Sequence, residues 1–299
     1  MSDRFRLVPE VHLFLLDRHG RVLLLRRCNT DYENGNYCVV AGHVEANEPV
    51  TAAAIREAKE EVGVQVQPSD LEVVGVIHRR ADDGYISVAF FLAARTCEGP
   101  VFNAEPENHD ELTWRAVDDL PPNMIPYVRR AFLNYQHGKR YDSVGWERIA
   151  SANRSHLYDR FKLIPDVHVF LIKDDEVLML RRCNTGFEDG SYSVVAGHVE
   201  ADEEITSAAV REAKEEVGIE IQRVDLHVVG VMHRKSDDER VSFFLAASTW
   251  TGDIVNAEPN RCDDLSWHSV ESLPSNTIPY LQRALRNYQD RTFFDEFGW

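Results

Sequence analysis

The sequence predicts an α/β protein made of two similar domains. A long internal repeat supports the two domains, since RFRLVPEVH at residues 4–12 returns as RFKLIPDVH at residues 160–168, and YDSVGW returns as FDEFGW. Each copy has about 140 residues, which is too long for a solenoid unit of roughly 20–50 residues. Within each copy, short apolar runs alternate with two amphipathic segments, a pattern typical of mixed strands and helices. We therefore predict domains at 1–146 and 160–299, joined by a polar linker at 147–159.

The strands of the first repeat are predicted from short apolar runs bounded by polar residues. The first two runs are separated by a short polar loop that contains Gly20, so they predict a hairpin. The third run leads directly into Gly42. Strands are predicted at residues 11–16, 22–25, 37–41, 73–77 and 88–94.

Two helices are predicted in each repeat. For the first helix, Pro49 suits the first turn and Gly63 suits the end. Asn47 or Glu48 could cap this helix, whereas Asp202 is the better cap in the second repeat. The second helix of repeat 1 is predicted from one apolar stripe, formed by Ile125, Val128, Phe132 and Tyr135.

The first helix carries a cluster of carboxylates. Glu57, Glu60 and Glu61 are spaced i, i+3, i+4, which places all three on one helix face. Like charges this close repel one another, and clustered carboxylate oxygens favour a hard divalent cation. The alternative is a solvated acidic helix with i, i+4 pairs to lysine, which the helix alone would favour. The opposite, packing face is formed by Ile55, Ala58 and Val62.

The residues around this helix form a longer pattern that occurs twice. Both copies fit G-x5-E-x7-R-E-A-x-E-E-x-G-[V/I], at Gly42, Glu48, Arg56, Glu57, Glu60, Glu61 and Gly63, and at Gly197, Glu203, Arg211, Glu212, Glu215, Glu216 and Gly218. The pattern closely resembles the signature of the Nudix hydrolase family, in which a bulky apolar residue stands where this chain has Ala58 and Ala213. A smaller residue there should loosen packing without removing the chemistry.

The resemblance implies a fold and a reaction. The fold would be two tandem Nudix-type α/β/α sandwiches with mixed sheets. The reaction would be hydrolysis of a nucleoside diphosphate linked to another moiety, by attack of water on phosphorus with Mg²⁺ or Mn²⁺ as cofactor. The net charge of −17 repels phosphate, so a cation would also supply the positive field that the protein lacks.

We call each copy of this pattern a box. The resemblance also implies roles for the residues of both boxes. Metal binding would fall to Gly42, Glu57, Glu60 and Glu61, and to Gly197, Glu212, Glu215 and Glu216. Catalysis would involve Arg56, Glu57, Glu60, Arg211, Glu212 and Glu215. Which glutamate is the general base stays open. Glu48 and Glu203 would support the loop, and Glu105 and Glu258 either complete the metal site or are solvated loop acids.

Candidates for substrate binding lie outside the boxes. Basic residues after strands could contact phosphate, and tryptophans could stack on a base. The alternatives are solvated strand ends for the basic residues and core packing for the tryptophans. The candidates are Arg27, His78, Arg79, Trp114, Arg182, His233, Arg234 and Trp267.

Composition limits the cellular compartment and the binding partners that we expect for this protein. The acidic balance argues against binding to nucleic acid. Five cysteines without a CxxC pair indicate a reducing cytoplasm. No apolar stretch approaches the roughly 20 residues of a membrane span, and the first apolar run is too short for a signal-peptide core. We expect a cytoplasmic protein that binds a small nucleotide, forms a pseudo-dimer within one chain and could also form a homodimer.

Two further interpretations compete with hydrolysis. A Nudix-like module could sense a nucleotide without turnover, but both copies keep their carboxylates. Isopentenyl-diphosphate isomerase chemistry would need a cysteine and glutamate pair in a context that this chain lacks. The six differences between the boxes avoid the positions that the pattern fixes, so our hypothesis is that both sites hydrolyse. The sequence does not name the nucleotide.

Overall fold

The computed structural model describes residues 4–147 and 160–299. The chain forms two compact units, which we call the repeat-1 unit, Leu7–Lys162, and the repeat-2 unit, Leu163–Trp299 together with residues 4–6. The linker predicted at 147–159 lies outside the described residues except for Glu147. The domain boundaries at 146 and 160 therefore stay a prediction. Within the described ranges, no helix is both long and apolar enough to cross a membrane.

The repeat-1 unit combines two sheets with two helices. One sheet has the strand order β4-β1-β6-β5-β8, and the other has the order β3-β2-β7. The larger sheet is mixed, since β1 runs parallel to β6 and antiparallel to β4. The elements are β1 (Val8–Leu15), β2 (Val22–Arg27), β3 (Tyr37–Cys38), β4 (Val40–His43), α1 (Val50–Val62), β5 (Leu71–Arg80), β6 (Ile86–Ala94), β7 (His109–Arg115), α2 (Pro126–Gln136) and β8 (Tyr141–Val144).

The repeat-2 unit has the same order of elements, but its strands form one continuous sheet. The two layers join where β9 and β10 pair. The predicted α/β class with mixed sheets is confirmed in both units. The elements are β9 (Ile164–Lys173), β10 (Glu176–Arg182), β11 (Tyr192–Ser193), β12 (Val195–His198), α3 (Ile205–Val217), β13 (His227–Lys235), β14 (Glu239–Ala247), β15 (Cys262–Ser269), α4 (Pro279–Asp290) and β16 (Phe294–Phe297).

The first two strands do not form the predicted hairpin in repeat 1. They belong to different sheets and share a single bridge between Leu16 and Val22. All eight residues of β1 are buried, because β1 lies in the interior of its sheet between β4 and β6. The predicted third strand is divided into β3 and β4 at Val39. The loop after β4 therefore starts from the larger sheet.

The helix that follows the box loop ends as predicted but begins differently. Gly63 closes α1 at φ 71°, a backbone conformation that favours glycine. Pro49 is the residue before α1, with no side-chain cap. In repeat 2 the Glu204 carboxylate accepts a hydrogen bond from Thr206 N at 2.9 Å. The prediction that Asp202 caps this helix was wrong, since Asp202 lies in a preceding left-handed turn at φ 62°.

The carboxylates of α1 do not share one exposed face. Ala58 and Val62 are buried as predicted, whereas Ile55 is only half-buried. Glu61 is 7% exposed and faces the sheet, while the Glu60 side chain is 50% exposed. The face of α1 that packs on β4 therefore includes the carboxylate of Glu61. In α2, Val128 and Phe132 are buried as the apolar stripe predicts.

Candidate active site

The box begins with a strand glycine that lies against the helix, Gly42 in β4 and Gly197 in β12. A Cβ added at Gly42 would lie 1.8 Å from Glu57 Oε1, and one added at Gly197 would lie 1.9 Å from Glu212 Oε1. Any side chain at these positions would displace the carboxylate. Glycine is therefore required here because of a close approach rather than because of backbone strain.

One arginine organises the carboxylates of repeat 1. Arg56 binds Glu48 with two hydrogen bonds of 2.8 and 2.9 Å. Its Nη1 donates to Glu57 at 2.6 Å and to Glu60 at 3.1 Å, and its Nη2 donates to His43 O at 2.9 Å. The planar guanidinium thus fixes three carboxylates and the loop backbone in one arrangement.

Repeat 2 builds the same arrangement around Arg211. Arg211 binds Glu203 with two hydrogen bonds of 2.9 Å each, and donates to Glu212 at 2.6 Å and to Glu215 at 3.4 Å. It also donates to His198 O at 3.0 Å. The residues predicted from the pattern are brought together in both units.

The inward carboxyls are buried close to other acids. Ala41 N donates to Glu61 Oε2 at 3.0 Å, as Ala196 N does to Glu216 Oε2. Burial raises the pKa of Glu57 to about 7 against the opposing effect of Arg56, with Glu60 and Glu105 adding to the rise. Burial likewise raises the pKa of Glu216 to about 8. A cation among these oxygens would offset the cost of burying their charge.

Three potential metal ligands lie close together in the repeat-1 site. Glu61, Glu105 and His109 each offer one ligand atom, and these atoms lie within 4.8 Å of one another. His109 is 2% exposed, and its Nε2 is 3.9 Å from Glu61 Oε1. Oxygen and imidazole ligands together suit a divalent cation. The sequence analysis included Glu105 but missed His109.

The corresponding position in repeat 2 holds a cysteine. Cys262 lies opposite Arg182, as His109 lies opposite Arg27. Each lies four positions after the loop glutamate, so NAEPENH aligns with NAEPNRC. Both residue types bind metals, and this shared property was the signal in the sequence that could have found the position.

A second polar cluster adjoins the box loop in repeat 1. Glu10 pairs with His43 across β1 and β4, which places its carboxylate beside the loop. Tyr85 donates to Glu10 at 2.7 Å, and Arg79 Nη2 lies 3.7 Å from the same carboxylate. The Arg79 guanidinium also stacks on Tyr127 at 4.3 Å. Of this cluster, which we call the inner pocket, the sequence analysis named only Arg79.

The inner pocket of repeat 2 has a shorter acid and an additional arginine. Asp166 pairs with His198 across β9 and β12. Arg234 donates to Asp166 at 2.7 Å and stacks on Tyr280 at 3.8 Å. Arg240 also donates to Asp166, at 3.3 Å. Predicting this cluster requires the strand pairing, since its members come from separate elements.

The two predicted histidines do not reach the site. His78 and His233 are fully buried inside β5 and β13, so the prediction that they follow a strand end was wrong. His78 packs on Trp146 with ring centroids 4.3 Å apart, and burial lowers its pKa to about 3. Neither of its ring nitrogens has a hydrogen-bond partner within the described ranges. These histidines pack against Trp146 and Trp299, so they cannot contact phosphate from this position.

The other substrate-binding candidates lie in two different settings. Arg27 and Arg182 donate to backbone carbonyls of the following loop, at 2.9 Å in each case. Burial raises the pKa of Glu61, and the nearby charge of Arg27 opposes that rise.

The two tryptophan candidates lie on other strands. Trp114 lies on β7 opposite Leu23, and Trp267 stacks on Trp250 with centroids 6.2 Å apart. Base stacking by these tryptophans stays a prediction.

Curated relatives match slightly less than half of this chain. The NAD-capped RNA hydrolase NudC of Pseudomonas aeruginosa (strain LESB58) is 32% identical over 137 residues, which cover 46% of this chain and 47% of that protein. NudC of Pseudomonas putida (strain GB-1) is 31% identical over 46% of this chain and 48% of that protein. The chain thus spans about half the length of these curated relatives.

Solved structures match in the same way. A MutT NUDIX hydrolase from Burkholderia pseudomallei is 23% identical and covers 41% of this chain and 95% of its own, with a TM-score of 0.39. A MutT protein from Bacillus halodurans is 27% identical and covers 46% of this chain and 88% of its own, with a TM-score of 0.38.

The family model matches both copies of the repeat. The model for the NUDIX domain covers residues 6–135 and 162–291. Each match contains one complete box with its arginine and carboxylates. The resemblance drawn from the sequence pattern is confirmed, and the chain belongs to the NUDIX family, with one NUDIX domain match in each repeat.

Proposed function

We propose that the protein is a divalent-metal-dependent pyrophosphohydrolase with one active site in each unit. Its substrate would be a nucleoside diphosphate linked to another moiety, as in a nucleoside triphosphate or a dinucleotide. The observation that carries the proposal is the arginine-centred carboxylate arrangement that both repeats share, around Arg56 and Arg211. A solvated acidic helix would not bury a carboxylate against a glycine, as Glu57 and Glu212 are buried here.

The donor set of each box fits a hard cation. In repeat 1, Glu57, Glu60 and Glu61 would hold Mg²⁺ or Mn²⁺, with Glu105 contributing from the distal loop. The cation would lower the pKa of a coordinated water and offset charge on the phosphates. Glu212, Glu215, Glu216 and Glu258 would do the same in repeat 2.

The chain's own residues position this chemistry. Arg56 is bound to Glu48 on one side, so its remaining donors hold Glu57 and Glu60 in fixed rotamers. The box glycine leaves room for the carboxylate to approach. Water attacks phosphorus, the phosphoanhydride bond breaks, and the products are a nucleotide and the phosphorylated moiety.

Turnover at both sites can be tested with single-site variants. Glu60→Gln and Glu215→Gln should each leave the other site working, so each variant keeps about half of the activity. The double variant should lose at least about 100-fold, the size of effect that removing one catalytic group produces. Released phosphate or pyrophosphate is measured with Mg²⁺ for nucleoside triphosphates, nucleotide sugars, NAD and NAD-capped RNA, the last two because of the names of the curated relatives.

Matched controls separate this proposal from a sensing role. Lys59→Gln and Lys214→Gln change exposed charges on the same helices and should leave turnover unchanged. If one single variant loses all activity, the other site is silent. Tight nucleotide binding without turnover of any substrate would contradict hydrolysis and favour a sensor.

A further inference from the structure

Each unit places one guanidinium against the histidine that follows the box glycine. In the repeat-1 unit, Arg160 Nη1 donates to His43 Nε2 at 2.5 Å. In the repeat-2 unit, Arg240 Nη1 donates to His198 Nε2 at 3.1 Å. Each arginine also reaches the inner pocket, since Arg160 donates to Tyr85 at 3.3 Å and Arg240 to Asp166 at 3.3 Å. The same chemical group thus occupies the same place in both sites.

The two arginines come from different positions of the repeat. Arg240 lies on β14 opposite Arg234, whereas the matching position on β6, opposite Arg79, is Ser87. Arg160 begins the second copy of the repeat in the sequence but packs within the repeat-1 unit.

The sequence equivalent of Arg160 lies near the repeat-2 site without contacting its histidine in the same way. That equivalent is Arg4, whose Nη1 donates to the half-exposed Asp238 at 3.5 Å and whose charge helps to lower the pKa of His198. In the repeat-2 unit the place beside the box histidine is already taken by Arg240. Each unit therefore obtains its guanidinium by its own route.

The guanidinium lies next to the residues that would carry the reaction. His43 directly follows Gly42, which contacts Glu57, and the His43 carbonyl is bound by Arg56. Arg160 contacts the His43 ring and the Tyr85 hydroxyl, neither of which is a carboxylate.

The charge balance of the inner pocket favours an anion there. In repeat 1 the carboxylate of Glu10 lies near Arg79 and accepts from Tyr85, to which Arg160 also donates. In repeat 2 the carboxylates of Asp166 and Asp238 face three guanidiniums, those of Arg234, Arg240 and Arg4. Among these residues each cluster has one more guanidinium than carboxylates. A guanidinium presents paired donors that match phosphate oxygens. A positive pocket beside a cluster of acids is unexpected in a chain of net charge −17 unless an anion binds there.

We propose that Arg160 and Arg240 are equivalent substrate-binding residues, each of which binds a phosphate oxygen of the nucleotide beside the histidine that follows the box glycine. The inference rests on the proposed function for the identity of the substrate. In the repeat-1 unit, which holds site 1, Arg160 from the segment after the linker would supply the phosphate contact. In the repeat-2 unit, which holds site 2, Arg240 on β14 would supply it.

The binding test uses the full chain and inorganic pyrophosphate with Mg²⁺, measured by titration calorimetry. The parent should bind pyrophosphate at two sites. Arg160→Ala should weaken one of them and Arg240→Ala the other, each by about tenfold or more, the loss expected for one hydrogen bond to a charged group. Arg18→Ala removes an exposed arginine outside both clusters, so it is the matched control and should leave both affinities within about twofold. Thermal melting checks that each variant is folded.

The kinetic test separates binding from chemistry. In the Glu215→Gln background, Arg160→Ala should raise KM for the best substrate with little change in kcat, and Arg160→Lys should have a smaller effect. Equal results for Arg160→Ala and Arg18→Ala, or a parent that binds no pyrophosphate, would overturn the proposal. Pyrophosphate binding with the expected pattern but no turnover of any nucleotide would contradict the proposed function alone.

Discussion

At the scale of single residues, the site depends on a few close contacts. Gly42 and Gly197 have no space for a methyl group, because the carboxylates of Glu57 and Glu212 lie where the Cβ would be. Arg56 and its repeat-2 counterpart then fix those carboxylates. The pattern in the sequence named all of these residues, because spacing along one loop and one helix is a local property.

Replacing the box glycine should damage catalysis more than folding. We expect Gly42→Ala to move the Glu57 carboxylate by an ångström or more and to reduce turnover at site 1 by about 100-fold. The measurement is kcat/KM in the Glu215→Gln background. Gly75→Ala is the control, since the nearest atom to an added Cβ there is Arg140 O at 3.6 Å, an ordinary van der Waals contact. Unchanged turnover in Gly42→Ala would show that the carboxylate is not held at this position.

The difference between His109 and Cys262 should affect the choice of metal. Imidazole is a good ligand for transition metals and a poor one for Mg²⁺. We expect His109→Ala to weaken one equivalent of bound Mn²⁺ by about tenfold while leaving Mg²⁺ nearly unchanged. Calorimetric titration of each metal measures this, with the exposed His19→Ala as control. Equal losses for both metals would indicate that His109 only packs against the site.

At the scale of elements, the second helix is tied to the last strand of its unit. Asp142 on β8 accepts hydrogen bonds from Arg130 at 2.6 Å and from Asn134 at 2.8 Å, both on α2. Asp295 on β16 makes the same contacts with α4. This strand pairs with β5, which carries Arg79, so the tie also supports the inner pocket.

Breaking this tie should lower stability in a pH-dependent way. Burial would raise the pKa of Asp142, but hydrogen bonds from Arg130, Lys139 and Asn134 outweigh it and lower the pKa to about 2. We expect Asp142→Asn to cost about 1–2 kcal/mol near pH 7, a modest figure because Arg130 and Lys139 are half exposed.

The sign of the pH effect follows from the lowered pKa. The stabilisation is complete above the ordinary value of 3.8 and is lost as the pH falls towards about 2. Urea unfolding at pH 7 and near pH 2 measures the difference between parent and variant, which should shrink at the lower pH. Asp119→Asn is the control, since that side chain is 77% exposed. A constant difference at both pH values would argue against an ionic contribution.

At the scale of the whole molecule, the two repeats keep the same chemistry and differ beside it. The box residues that bind one another are identical in both units. The differences gather at the substrate side, where Ser87 corresponds to Arg240, and at the distal loop, where His109 corresponds to Cys262. If both proposed sites hydrolyse, they would run one reaction in different surroundings, as two substrates or two metal preferences would require.

Several expectations failed because they used only the local sequence. The predicted hairpin between the first two strands is absent in repeat 1, because neighbours in the chain entered different sheets. Helical spacing placed Glu61 on one face with Glu57 and Glu60, but only the structure shows that the packing of α1 buries Glu61 while Glu60 stays half exposed. His78 was placed at a strand end, but β5 continues to Arg80 and Trp146 covers the ring.

The sequence by itself determined the repeat, the α/β class, the box residues and the family, because these depend on composition and on spacing along a short stretch of chain. Only the tertiary structure decided the inner pocket, the place of His109 and the source of each guanidinium. These depend on which strands pair and on where residues 160–162 pack, and contacts between residues that are distant in the sequence leave no periodic pattern in it.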